Sequence, residues 1–162
     1  MSLDGFSMSA LAHELADALT GGRIDKINQP NKQSVILSVR QPGKNFLLYI
    51  NTNASNPSAH LIEAAPENPA EPPTFVMLLR KQLETGRIAA VRQERRDRIL
   101  HLDIDIIAGG GRIVTRTLTL ELIGKYSNII LHEGGTIIEA LRRIGENSSR
   151  VRTVFKGIPY TL

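Results

Sequence analysis

The chain repeats itself. Leu15, Leu19, Gly22-Arg23-Ile24, Ile27 and Gln29 recur as Leu79, Leu83, Gly86-Arg87-Ile88, Val91 and Gln93, each pair 64 positions apart. Both copies run on into β-rich sequence. Self-similarity of this kind argues for one helix-then-strands unit used twice, in a pseudo-twofold domain. The copies part after the last shared residue. The first continues with Pro30-Asn31-Lys32-Gln33 and the second with Glu94-Arg95-Arg96-Asp97-Arg98. The scaffold is shared, and the charge cluster belongs to one copy.

The elements follow from periodicity. Residues 4–19 carry Leu11, Leu15 and Leu19 on one stripe, with Met8 and Ala12 beside it, and Gly21-Gly22 stops the helix. Strands are expected at 24–29, 34–40, 45–51 and 59–63. A Pro-rich acidic loop over 64–73 links the copies. Pro72-Pro73 opens a second helix that buries Phe75, Leu78, Leu79 and Leu83 and ends at Gly86. Strands resume at 87–94, 98–107, 113–123, 127–132 and 136–142. Leu100, Leu102, Ile104 and Ile106 alternate with His101, Asp103 and Asp105, and Leu118, Leu120 and Leu122 with Thr117, Thr119 and Glu121. That is the signature of antiparallel sheets with one wet face. Gly109-Gly110-Gly111 is read as a hairpin loop. Ile24/Ile27 and Ile88/Val91 break period two at the same place in both copies, which predicts a bulge in each first strand. The fold class is α+β: a pseudo-twofold, two-layer antiparallel β-sandwich flanked by two helices.

Composition narrows the function. The 162 residues suffice for one domain with its own core. There is no cysteine, so disulfides and thiolate metal sites are excluded, which suits the cytoplasm. No apolar run is long enough to span a bilayer, and Met1-Ser2-Leu3-Asp4 does not begin a secretory signal. No membrane partner is therefore expected. Asn-x-Ser triplets at Asn53 and Asn147 have no glycosylation context without such a signal. The net charge of +4 is unevenly spread. Residues 80–98 hold seven Arg/Lys (Arg80, Lys81, Arg87, Arg92, Arg95, Arg96, Arg98) against three acids. Residues 142–162 hold five (Arg142, Arg143, Arg150, Arg152, Lys156) against one. Two basic blocks on an otherwise acidic body form a polyanion footprint, or a soluble surface whose charges cluster. Arg80 and Arg87 of the first block are candidate nucleic-acid contacts.

Catalytic chemistry is sparse. His13, His60, His101 and His132 lack metal-ligand spacing, and no metal or cofactor is expected. His13 sits beside Glu14 on a helix face and is expected to face solvent. Gly124-Lys125-Tyr126-Ser127 ends like a phosphate-binding loop, but position 119 is Thr and the context is strand on both sides, which excludes that motif. Asp103 and Asp105 belong to a polar sheet face. The turn Arg95-Arg96-Asp97-Arg98 is the better candidate. Arg presents a planar fork to phosphate or base edges, and an acid between arginines can hold one rotamer or accept from a base amino group. An Asp–Arg pair that merely pins the hairpin would look the same in sequence.

Four ordered blocks carry a resemblance. They are Gly21-Gly22-Arg23-Ile24-Asp25-Lys26-Ile27-Asn28-Gln29-Pro30, Pro72-Pro73-Thr74-Phe75-Val76-Met77-Leu78-Leu79-Arg80-Lys81, Asp97-Arg98-Ile99, and Glu121-Leu122-Ile123-Gly124-Lys125-Tyr126-Ser127-Asn128-Ile129-Ile130-Leu131. Together they resemble the amino-terminal domain of the NFACT family, nearly end to end. Tyr126 stands where the family often has His, and Gln82 departs likewise. The resemblance implies that residues 1–162 are a single domain, the N-terminal part of a longer multidomain protein. It further implies a ribosome-associated quality-control role. Such proteins bind the large ribosomal subunit carrying peptidyl-tRNA and recruit tRNA, alanyl-tRNA in bacteria. The stalled chain is then extended at its C-terminus without mRNA.

The family's Asp-Arg pair maps onto Asp97 and Arg98, flanked by Arg95 and Arg96, as the tRNA-binding residues. The resemblance of the fourth block makes Glu121, Lys125 and Asn128 candidate RNA contacts. The bond-forming centre belongs to the ribosome, so the chain is not expected to be an enzyme. The fold is also similar to the N-terminal domain of formamidopyrimidine-DNA glycosylases. Those need an N-terminal proline followed by Glu, where this chain has Ser2 and Leu3. A DNA-glycosylase-like nucleic-acid module without catalysis is thus one alternative. A fibronectin-binding adhesin, the old label of bacterial family members, is the other.

Overall fold

A computed structural model describes residues 5–95, 97–145 and 153–162. The first copy comprises helix α1 (Gly5–Leu19) and strands β1 (Arg23–Asn31), β2 (Ser34–Gln41), β3 (Lys44–Asn51) and β4 (Ser58–Ile62). The second comprises α2 (Thr74–Leu83) and β5 (Arg87–Gln93), β6 (Ile99–Ile107), β7 (Ile113–Glu121), β8 (Asn128–Glu133) and β9 (Thr136–Ala140). All neighbours are antiparallel, in the order β4-β3-β2-β1-β5-β6-β7-β8-β9. The two half-sheets join through one bridge pair, Arg23 with Arg87.

That seam carries the pseudo-twofold symmetry in its hydrogen bonds. Gly21 N donates to Ile88 O (2.7 Å), and its counterpart Thr85 N donates to Ile24 O (2.9 Å). Ile24 N donates to Gly86 O (2.8 Å), and Ile88 N to Gly22 O (2.9 Å). Each copy thus closes the other's helix-to-strand turn. The shared glycines are explained at the same place. A Cβ on Gly22 would lie 2.5 Å from Val39 Cγ1, and one on Gly86 would lie 2.7 Å from Ile104 Cγ2 and 2.9 Å from Leu83 O. The expected bulges are both present. Register slips between Ile24 and Lys26 in β1, and between Ile88 and Ala90 in β5. The extra residues, Asp25 and Ala89, are equivalent in the repeat.

The helices are exchanged across the seam, α1 packing on β5 and α2 on β1. Met8, Ala12, Leu15 and Leu19 are buried on α1, with Leu11 half-buried, and Phe75, Val76, Leu79 and Leu83 are buried on α2. Each fully buried Leu or Met contributes about 1.5–3 kcal/mol. They meet Val35, Leu37, Val39, Leu48 and Ile50 of one half-sheet and Leu100, Leu102, Ile104, Leu118, Leu120, Ile129 and Leu131 of the other in one core. His13 is exposed, as its helix position implied.

The outer face of β6–β8 differs from the expected wet surface. His101, Thr119, Glu121 and His132 are buried there. The cause is the C-terminal segment. It pairs Thr136 with Pro159 and Ile144 with Val154, and closes a second cluster of Ile130, Ile137, Ala140 and Val154. Alternation shows which face a residue takes, not what a distant segment lays over it. Among the described residues no helix is long and apolar enough to cross a membrane.

Candidate nucleic-acid interface

Residues 94–98 join β5 to β6 in a tight turn. Asp97 N donates to Glu94 O at 2.6 Å, and Glu94 N to Ile99 O at 3.0 Å. Gln93 Nε2 donates to Asp97 O at 2.8 Å. Asp97 Oδ1 accepts from the backbone N–H of Arg98 at 2.7 Å. Asp97 therefore fixes the turn through the backbone, and among the described residues no guanidinium pairs with it. Arg95 has φ 43°, in the left-handed region that costs a side-chain-bearing residue about 1–2 kcal/mol. Among the described residues neither Arg95 nor Arg98 has an ion-pair or side-chain hydrogen-bond partner. Arg95 and Asp97 are exposed, and Arg98 is half-buried.

A second loop lies against this turn. Leu122 N donates to Arg98 O at 2.9 Å, continuing the Ile99–Glu121 register. The chain then makes a 3₁₀ turn over Gly124–Tyr126. Ser127 Oγ donates to Gly124 O at 2.7 Å, and Arg142 Nη1 to Lys125 O at 2.8 Å. Asn128 braces the loop from beneath, donating Nδ2–H to Arg142 O and accepting Arg142 N–H, both at 2.9 Å. Lys125 and Tyr126 are exposed at the tip, with Lys125 Nζ 5.3 Å from the Tyr126 ring centroid. One end of the sheet thus gathers unpaired guanidinium groups, an ammonium and an exposed aromatic ring on braced turns. That set takes phosphates and unpaired bases.

Beneath it runs a buried polar chain. His101 Nδ1 and Thr119 Oγ1 are 2.7 Å apart, and Thr119 Oγ1 and His132 Nε2 also 2.7 Å. Glu94 Oε2 lies 3.9 Å from His101 Nε2. With the proton of His101 on Nε2, facing Glu94, Nδ1 accepts the Thr119 hydroxyl, whose oxygen accepts His132 Nε2–H. The Thr119 hydroxyl then both donates and accepts, serving the two rings at once. Tyr160 stacks on His132 at 4.5 Å and donates its hydroxyl to Glu121 Oε2 at 2.7 Å. Burial holds His132 down to about 4, with His101 and Arg92 adding to the effect, and burial also lowers His101, aided by Arg92. Both rings are neutral at pH 7. Asp103 is pushed up by burial but more strongly down by hydrogen bonds from Arg92 (2.7 Å) and Thr117 (2.8 Å), and so ends below its ordinary value.

The structure brings together Arg95, Asp97, Arg98 and Lys125. Arg96 lies outside the described residues. The other sequence candidates do not join this surface. Glu121 and Asn128 are each 1 % exposed, so they organise the loops and do not reach a macromolecule. Arg80 is engaged elsewhere, its Nε on Ile27 O at 2.7 Å and Nη2 on Asn28 Oδ1 at 3.0 Å, tying α2 to β1. Arg87 begins β5, roughly 20 Å from the turn at its other end. Sequence reasoning passed over Tyr126 as a functional residue and Arg142 as the loop's brace. The basic–aromatic pair Lys125-Tyr126 was the available signal for the first.

The model of the family described as NFACT N-terminal and middle domains matches residues 4–162. The chain belongs to the NFACT family. This NFACT domain is 40% identical over 164 aligned positions to the Rqc2 homolog RqcH of Bacillus subtilis, covering 100% of the chain and 29% of the relative. It is 36% identical to RqcH of Streptococcus suis over 162 positions, 99% of the chain and 29% of that relative. The chain thus spans less than a third of the length of these curated relatives. Among solved structures, it is similar to the N-terminal domain of the fibronectin-binding protein PavA of Streptococcus pneumoniae. The TM-score is 0.93 at 33% identity, over 98% of this chain and 61% of that one. The fibrinogen binding protein of Staphylococcus aureus gives a TM-score of 0.87 at 31% identity, over 100% of this chain and 56% of that one.

Proposed function

We propose that this NFACT domain is the RNA-reading module of a cytoplasmic ribosome-associated quality-control factor. It holds a tRNA, alanyl-tRNA in the tailing reaction, on a large ribosomal subunit that carries peptidyl-tRNA. The stalled nascent chain is then extended with alanine without mRNA. The domain itself performs no bond chemistry. Arg95 and Arg98 bind phosphate or a base edge, Asp97 sets the turn, and Lys125 and Tyr126 extend the surface. The observation that carries this reading is the meeting of the 94–98 turn and the 124–127 loop at one end of the sheet, with the guanidinium groups of Arg95 and Arg98 unspent. The kinship with RqcH supplies the ribosomal context. The test is to isolate the protein that carries this domain from cells and sequence its bound RNA. Enrichment of tRNA, above all tRNA for alanine, is expected; RNA no different from a mock isolation would refute the reading.

The names of two structural neighbours favour a second reading, an adhesin for fibronectin or fibrinogen. Binding of this chain to immobilised fibronectin that outlasts physiological salt, with no RNA bound, would establish it instead.

A further inference from the structure

The first repeated block, Gly22-Arg23-Ile24, also places charge at the seam. Arg23 is the direct register partner of Arg40 on β2 and of Arg87 on β5. Partners across a ladder share a face, so three exposed arginines stand in one row over three strands. Like charges directly opposite one another cost stability, and two carboxylates stand against the three guanidinium groups. Asp25, the bulged residue, lies 3.6 Å from Arg23 and 3.8 Å from Arg40. Asp105 is the register partner of Arg87 and is also bound by Thr115 Oγ1 at 2.7 Å. Arg87 donates to Gly21 O at 2.6 Å, which holds its guanidinium at the seam.

The geometry points to a second polyanion site on this domain: Arg40, Arg23 and Arg87 bind a run of backbone phosphates. The row is about 10 Å wide, two strand spacings, which suits consecutive phosphates and exceeds a single point anion. Arginine forks match phosphate oxygens, and no aromatic ring or apolar groove beside the row is needed to explain it. The site lies at the opposite end of β5 from the 94–98 turn. It extends the RNA reading of that turn and does not depend on the same residues.

The test is fluorescence anisotropy of labelled oligouridylate on this chain across a series of salt concentrations. Arg23→Gln removes the central charge and relieves both like-charge pairs, so its melting temperature should not fall. Its salt slope should drop by about 0.7, the value of one phosphate contact on a single strand. Lys81→Gln, an equal charge loss on α2, should leave the slope unchanged. An unchanged slope in Arg23→Gln overturns the inference. So does an equal drop in Lys81→Gln, which would make net charge the cause. Competition by polyglutamate as effective as by oligouridylate overturns the choice of phosphate. Arg98→Ala separates the two sites. If it alone weakens binding, the seam fails and the turn stands; if Arg23→Gln alone weakens binding, the turn fails and the seam stands. No RNA binding by the parent chain overturns both.

Discussion

Replacing Thr119 by Val should unsettle the molecule far more than the swap of one hydroxyl for a methyl suggests. The Thr119 hydroxyl serves two buried imidazoles at once, His101 Nδ1 and His132 Nε2, each at 2.7 Å. Valine fills the same space and leaves one ring nitrogen without a donor and the other N–H without an acceptor. Each buried polar atom orphaned in this way costs about 1–3 kcal/mol. The added methyl returns about 0.8 kcal/mol. The net expectation is a loss of about 1–5 kcal/mol, read as a shift in the urea midpoint with the slope unchanged. Thr119→Ser keeps the hydroxyl and should cost only about 1 kcal/mol. A Thr119→Val midpoint equal to the parent's, or equal to that of Thr119→Ser, would refute the claim that this hydroxyl holds the network together.

The same histidines set a pH dependence. His132 titrates near 6.5 unfolded but at about 4 folded, so the unfolded state binds the extra proton between those values. Stability is full above about pH 6.5 and falls as pH drops toward 4, by about 2 kcal/mol after allowance for solvent screening. Denaturation at pH 7 and 4.5 should show the fall, and His132→Gln should lack most of it. At the seam, Gly22→Ala and Gly86→Ala should each cost about 1–3 kcal/mol by crowding Val39 and Ile104; unshifted melting curves would contradict that account. Arg95→Gly removes a left-handed side-chain-bearing residue, so it should raise stability by up to about 1 kcal/mol while weakening tRNA binding. A variant that is stabilised and binds normally would show Arg95 to be incidental.

Much of the fold is legible because it is local or repeated. The leucine stripes, the hairpin alternation and the displaced period at Ile24/Ile27 and Ile88/Val91 all answer to backbone geometry. The 64-residue repeat supplies the pairing that one copy alone would leave open. What was hidden is what distant segments cover. His101 and Thr119 alternate like solvent-facing residues yet are buried, on the face over which Tyr160 returns to lie edge-on to His101. Glu121 and Asn128 were misassigned as contacts for the same reason, since a motif names residues without saying which way they face. Asp97 is a mixed case. The spacing suggests a pair with a neighbouring guanidinium or a contact to a base, but the bond it makes within the chain is to a backbone N–H, which spacing cannot distinguish from a pair with the Arg98 guanidinium. Arg87 is a candidate from its basic block alone, but its row with Arg23 and Arg40 is out of reach because the Arg23–Arg87 pairing joins residues from different copies.

The central claim, that the 94–98 turn reads tRNA, is tested most directly by recovering tRNA with the ribosome-bound protein that carries this domain. The comparison is between the parent, Asp97→Ala/Arg98→Ala and Arg98→Lys. Both side chains lie outside the core, so the double variant should fold and still bind the large subunit. Its tRNA recovery should be lost, and Arg98→Lys, which keeps the charge without the fork, should also fail. Normal tRNA recovery in the double variant would contradict the account.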